Sequence, residues 1–228
     1  MEYMNKVDWS PLWISLKTGV VATILAFFLG IVAVQLVMRV NRKLAWILDS
    51  LFTLPLVLPP TVIGFSLLLL FSLKRPFGKF LYVNFDIKMV QTWLGCVVAA
   101  CIIAFPLMYK NAKAAFEQID LTIIYAARTL GISETYIFFR IAMPMAWPGV
   151  LSGTILAFAR SIGEYGATCM LAGNILGKTQ TVAVAIASQA SAGNFEEAGF
   201  WVCVNVIISF VIISLINRIS KKNSWSKR

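Results

Sequence analysis

Few side chains in this sequence are able to do chemistry. Arg160 and Glu164 stand four apart inside a long apolar run, and Thr168 follows four residues later. On a continuous helix that spacing puts all three on one face. A charge at the centre of a membrane costs roughly 2.5–3.5 kcal/mol on insertion scales, so such a pair must face protein or water. One reading is a mutually neutralising pair that locks helices together. The other is a cationic contact for an anion, with the carboxylate limiting how tightly it is held. Intramembrane charges commonly pair, which favours the first. Histidine is absent, so imidazole catalysis, proton relay and metal ligation are excluded. Cys96, Cys101, Cys169 and Cys203 lie in apolar runs without a CxxC spacing and read as buried thiols. The stretch Gly173–Thr179 nearly spells a phosphate-binding loop. Only three residues separate Gly173 from Gly177-Lys178-Thr179, however, and Ala172 occupies the place of the required glycine. Nucleotide binding by this chain is rejected, and no catalytic residue or metal site is expected.

The elements that must position these residues follow from composition. Of 228 residues, 59% are apolar and 13% charged. Globular domains average about 45–50% and about 25%. That excludes a soluble domain and a disulfide scaffold, and implies an all-α integral membrane protein. Five stretches are long enough to cross a bilayer: roughly 12–38, 47–73, 89–109, 149–172 and 198–217. The first is not expected to be a cleavable leader, because acidic residues precede it and its apolar core is too long. A weaker stretch, 179–192, is diluted by Thr181, Ser188, Gln189 and Ser191, and reads as a short half-buried or re-entrant helix. The net charge of +10 is read as topology rather than nucleic-acid binding. With the N-terminus outside, the inner segments hold Arg39, Arg42, Lys43, Lys110, Lys113, Arg128, Arg140, Arg218, Lys221, Lys222, Lys227 and Arg228. The outer ones hold half as many: Lys6, Lys74, Arg75, Lys79, Lys88 and Lys178. An outside N-terminus and a cytoplasmic C-terminus are therefore expected.

The segment 110–147 is then the largest cytoplasmic loop. Apolar residues at Ala112, Ala115, Phe116, Ile119, Ile123, Ala126, Ala127 and Leu130 have helical spacing, and Gly131 suits a helix end. Ser133 is positioned to start another short helix, and Pro144 and Pro148 mark re-entry into the membrane. In the fourth span, Gly149, Gly153, Ala157 and Ser161 form a stripe of small residues suited to close helix packing. Pro55, Pro59 and Pro60 each remove a backbone donor from the second span, which is expected to kink and to line a pathway.

Tyr125-Ala126-Ala127-Arg128-Thr129-Leu130-Gly131, then nine residues, then Ile141-Ala142-Met143-Pro144, resembles the E-A-A signature of importer-type ABC permeases. Tyr125 stands where that signature has Glu, and Met143 where it has Leu. The second-span run Leu54–Gly64, the run Phe158–Thr168, and Asn174-Ile175 with Gly177-Lys178-Thr179-Gln180-Thr181 resemble the permease subunits of molybdate importers over nearly the whole chain. Sulfate and tungstate permeases are close relatives of that family.

The resemblance implies the type I ABC importer permease fold: one transmembrane domain over 1–228, with residues 125–131 and Pro144 in the coupling segment that seats on an ATPase. It implies a second copy of the chain, two cytoplasmic ATP-binding subunits, a periplasmic molybdate-binding protein, and a bacterial inner membrane with its lipid. ATP and magnesium would belong to the ATPase, leaving this chain without a cofactor. Arg160, Ser161, Glu164 and Thr168 would then lie on the oxyanion route or form a structural pair beside it. A transporter or channel working without ATP is the competing class. The absence of an evident inverted repeat and the presence of the cytoplasmic E-A-A-like loop stand against it.

Overall fold

The structure, a computed structural model, describes residues 8–225, with side chains through 214. Lys6, Lys227 and Arg228, used above for topology, lie outside the described residues, as do the side chains of Arg218, Lys221 and Lys222. All regular structure among the described residues is helical. The order is α1 (Ser10–Arg39), α2 (Arg42–Val57), α3 (Pro60–Phe71), α4 (Pro76–Phe85), α5 (Trp93–Glu117), α6 (Leu121–Thr129) and α7 (Glu134–Tyr136). A π-helical turn (Ile137–Ala142) then runs into α8 (Met143–Ile162), followed by α9 (Gly166–Ala172), α10 (Val182–Ser191) and α11 (Phe195–Trp225).

Helix α5 is the centre of the bundle, with α1, α2, α8 and α9 packed on it. Small residues set the closeness of these contacts. A Cβ on Gly30 of α1 would stand 2.8 Å from Cγ of Met108 on α5, and one on Gly153 of α8 would stand 2.8 Å from Cβ of Asn111. Without a hydrophobic drive between helices in lipid, such close approach is what holds them together. The main core joins Val34, Ala104, Met108, Tyr109, Phe116, Ala146 and Val150. Outward faces are oily, as a bilayer requires: Phe28, Val32, Val57, Val206 and Phe210 are all exposed.

Among the described residues, four helical rods are long and apolar enough to cross a membrane, and a fifth crossing arises if α2 and α3 count as one broken span. Several boundaries correct the sequence reading. The stretch 47–73 is not one kinked helix. It is two helices bent by 112° at Leu58-Pro59. Pro59 and Pro60 both lack an N–H, so the ladder has no donors to carry it across this point.

The span placed at 149–172 starts earlier and breaks within. A continuous helical rod runs from Glu134 to Ile162. The π turn absorbs the prolines: Met143 N–H bonds back to the Phe138 carbonyl, and Pro144 follows in the first turn of α8. Pro148 lies inside α8 rather than at membrane entry. The helix then stops at Gly163 and restarts at Gly166.

Helix α5 continues to Glu117, well past the predicted end at residue 109, so Ala112, Ala115 and Phe116 belong to the bundle and not to a surface helix. The non-helical part of the segment 110–147 is correspondingly short. The loop 74–88 contains α4, which its basic residues concealed. The weak stretch 179–192 holds α10, ten residues long and too short to span, with Val182, Val184 and Ala185 buried.

Candidate functional site

Two regions gather the singled-out residues, one at each level of the bundle. The first is α6, at the end where α1 and α5 finish. Asp120 starts it: its Oδ1 accepts the Thr122 N–H at 2.9 Å. That bond holds the Asp120 carboxyl below the usual carboxylate range. Gly131 ends it in the left-handed region, φ +75°. Its N–H bonds to the Arg128 carbonyl at 2.9 Å, and the Ile132 N–H reaches the Ala127 carbonyl at 3.2 Å. These are the closing bonds of a glycine-terminated helix.

Only Ala127 is buried on α6, while Leu121, Ile123, Tyr125 and Leu130 are exposed. A nine-residue helix has little stability of its own. It is fixed by its two caps, by Ala127, and by an ion pair that holds Arg128 of the motif. Arg128 donates from Nε to Glu134 Oε1 at 2.6 Å and from Nη2 to Oε2 at 3.0 Å. Glu134 opens the rod that leads into α8, so this pair ties α6 to the membrane helix. Arg128 also stands 5.8 Å from the Tyr125 ring. Gln35, Arg39, Phe116, Arg128, Glu134 and Phe138 line one groove, which places the ends of α1 and α5 beside α6. Thr129 turns its hydroxyl onto the Ala126 carbonyl.

The second region lies within the membrane helices, where two breaks meet. Arg160 and Glu164 are paired, Nη1 to Oε2 at 2.8 Å. They do not share a continuous helix. Glu164 sits in the break, and its Oε1 accepts the Ala167 N–H of α9 at 2.8 Å. Thr168 is buried one turn into α9, on a different segment from Arg160, so the three-residue stripe does not form. Ser161 is buried, with its hydroxyl on the Phe158 and Gly19 carbonyls.

The α2–α3 break comes to the same place. A Cβ on Gly166 would stand 2.9 Å from Cβ of Pro60, and one on Gly64 would stand 2.7 Å from Cα of Ala167. Pro60 thus adjoins the start of α9, with Pro59 before it in the bend, while Pro55 lies inside α2 on an apolar groove with Phe105. Of the small-residue stripe, Gly149 lies against Ala115, Gly153 against Asn111, Ser161 against Gly19, and Ala157 is fully buried.

The Gly173–Thr179 loop is tied to itself. The Ile175 carbonyl accepts the N–H groups of Lys178, Thr179 and Gln180, and the Thr179 hydroxyl accepts the Ile175 N–H at 3.0 Å. Those amides are not available to cradle a phosphate. Among the described residues, no group of His, Cys, Asp and Glu is placed to hold a metal ion.

Sequence reasoning missed one cluster. Asp49 on α2 accepts the Tyr109 hydroxyl at 2.8 Å and pairs with Lys113 at 2.9 Å and Lys110 at 3.2 Å, all on α5. Sequence separations of sixty or more hide it.

Comparison with known proteins fits this geometry. The Bacillus subtilis protein YvgM is 40% identical over 210 residues, covering 92% of each chain. The Escherichia coli molybdenum transport system permease protein ModB is 37% identical, over 92% of this chain and 91% of that one. The sulfate transport system permease protein CysT of Salmonella typhimurium is 28% identical, over 96% and 83%. Among solved structures, the MetNI methionine ABC transporter in an inward-facing conformation superposes with a TM-score of 0.77 at 16% identity, over 97% of this chain and 98% of that one. A bacterial ABC transporter involved in alginate import gives 0.76 at 11%, over 93% and 78%. The fold is that of type I ABC importer permeases. Residues 19–221 match the binding-protein-dependent transport system inner membrane component family, and the chain belongs to it as a multi-pass inner-membrane transport subunit.

Proposed function

We propose that this chain is the membrane subunit of an ATP-driven molybdate importer. Two copies would form the pore, with two cytoplasmic ATP-binding subunits on one side and a periplasmic molybdate-binding protein on the other. The relatives named for molybdenum transport support the cargo. The observation that carries the mechanism is α6: a short, doubly capped helix that turns Tyr125 and Leu130 outward at one end of an otherwise apolar bundle. Such a surface suits a protein groove better than lipid, because α6 is pinned at both ends and by an ion pair instead of floating on a headgroup layer.

ATP-driven closure of the ATPases draws the two α6 helices together. The three-residue link to α5 and the Arg128–Glu134 tie to the α8 rod pass that movement into the bundle. Hydrolysis reverses it. ATP and magnesium reside on the partner, and this chain supplies no nucleotide site. The N-terminus lies outside and the C-terminus in the cytoplasm. The exposed basic turn at Arg39, Arg42 and Lys43, with Arg39 beside α6, supports that orientation.

The test uses Tyr125→Ala and Leu130→Asp. Both side chains are exposed, so the purified variants keep the wild-type melting temperature while losing co-purification of the ATPase and ATP-dependent uptake. Retention of both would refute docking through α6.

A further inference from the structure

We infer that Arg160 is an oxyanion contact on the translocation route and that Glu164 is its positioning residue. This rests on the molybdate-importer reading above. Ser161, next in sequence, hydrogen-bonds the Gly19 carbonyl of α1 at 3.4 Å. Gly19 lies about 14 Å along α1 from Ser10 at 1.5 Å per residue. Trp9 and Trp13, exposed at the start of α1, mark the interface, since exposed tryptophans gather at headgroup level. Arg160 is therefore below the headgroups. Its side chain is nonetheless 35% exposed, against 1% for Glu164. A guanidinium at that depth does not face hydrocarbon. The face that carries it opens onto a water-filled route or the second copy.

The pair is asymmetric in its hydrogen bonds as well as in exposure. Both oxygens of Glu164 are used, one on Arg160 Nη1 at 2.8 Å and one on the Ala167 N–H at 2.8 Å. A guanidinium carries five N–H donors, and Arg160 meets no other acceptor among the described residues. Its remaining planar edge is a two-pronged donor of the kind that fits a tetrahedral oxyanion. Glu164 is fixed by the helix break it caps. It aims that edge and offsets part of its charge, which keeps the contact weak, as a route requires. In a symmetric dimer the contact occurs twice.

The test is ATP-dependent uptake of molybdate by proteoliposomes holding the complete transporter, with subunit assembly measured in parallel. The double variant R160Q/E164Q removes both charges and leaves none unpaired. The inference expects normal assembly and uptake lowered by at least about tenfold, the loss of a charged hydrogen-bond contact. Assembly with wild-type uptake would overturn it, since a purely structural pair is dispensable once neutralised. Should the double variant not assemble, R160K decides, because it keeps the charge and the partner. The inference expects uptake to fall about threefold as the forked donor becomes a point donor, and wild-type uptake overturns it. A wild-type complex that takes up no molybdate refutes the importer reading itself, whatever Arg160 does.

Discussion

Asp49 and Tyr109 join α2 to α5 through a 2.8 Å hydrogen bond, and the Tyr109 side chain is fully buried. Lys113 and Lys110 converge on the same carboxylate. Removing Asp49 leaves a buried hydroxyl without its acceptor and Lys110 without its counter-ion, while Lys113 keeps only the more distant Glu117 at 3.8 Å. Asp49→Ala should destabilise the detergent-solubilised protein by about 1.5–3 kcal/mol, and Tyr109→Phe by about 1 kcal/mol. Thermal unfolding followed by tryptophan fluorescence reads both. Equal melting temperatures for Asp49→Ala and wild type would show that the cluster contributes nothing.

Gly153 should accept no larger residue. A Cβ there would stand 2.8 Å from Cβ of Asn111 and 3.3 Å from the Met108 carbonyl, and neither atom is the far end of a flexible chain. Gly153→Val forces α8 off α5 and should cost about 1–3 kcal/mol, the usual penalty of overpacking. Gly131→Ala is the contrast. Nothing lies within 4 Å of its Cβ position, so the left-handed backbone alone resists the change. A lowered melting temperature is expected for both, with Gly153→Val the lower. The reverse order would contradict the packing described for α8.

Asp120 gives α6 a pH dependence of known sign. The Thr122 N–H depresses its folded-state carboxyl below the ordinary carboxylate range. A depressed pKa means that the cap contributes above the unfolded value, near 4, and is lost as pH falls through the folded value. At neutral pH the cap is intact. Hydrogen exchange at the first amides of α6 should be faster in Asp120→Ala than in wild type, and close to wild type in Asp120→Asn, which keeps an acceptor. Identical exchange in all three would remove the cap from the explanation of how α6 is held.

The C-terminal end of α6 was legible in the sequence because capping is local: Gly131 follows a periodic apolar segment and adopts the left-handed geometry that position demands. The membrane character was legible for the same reason, since a span is a run of adjacent residues. The break at Gly163 was not. Glu164 four residues after Arg160 looks like a helical pair, although its second oxygen caps the next helix. Prolines announced a disturbance at 55–60. The 112° bend, by contrast, depends on α3 settling onto α9 through Gly64, a contact about a hundred residues away in sequence. The Asp49 cluster escaped notice because its partners belong to another helix.

On this mechanism the chain carries molybdate inward only when an ATPase drives it through α6. The most direct measurement is the initial rate of radiolabelled molybdate uptake into proteoliposomes containing the chain, its ATP-binding subunit and a molybdate-binding protein, with and without ATP. Uptake that requires ATP and both partners is the predicted result. Uptake by the chain alone, driven by an ion gradient and indifferent to ATP, would contradict it.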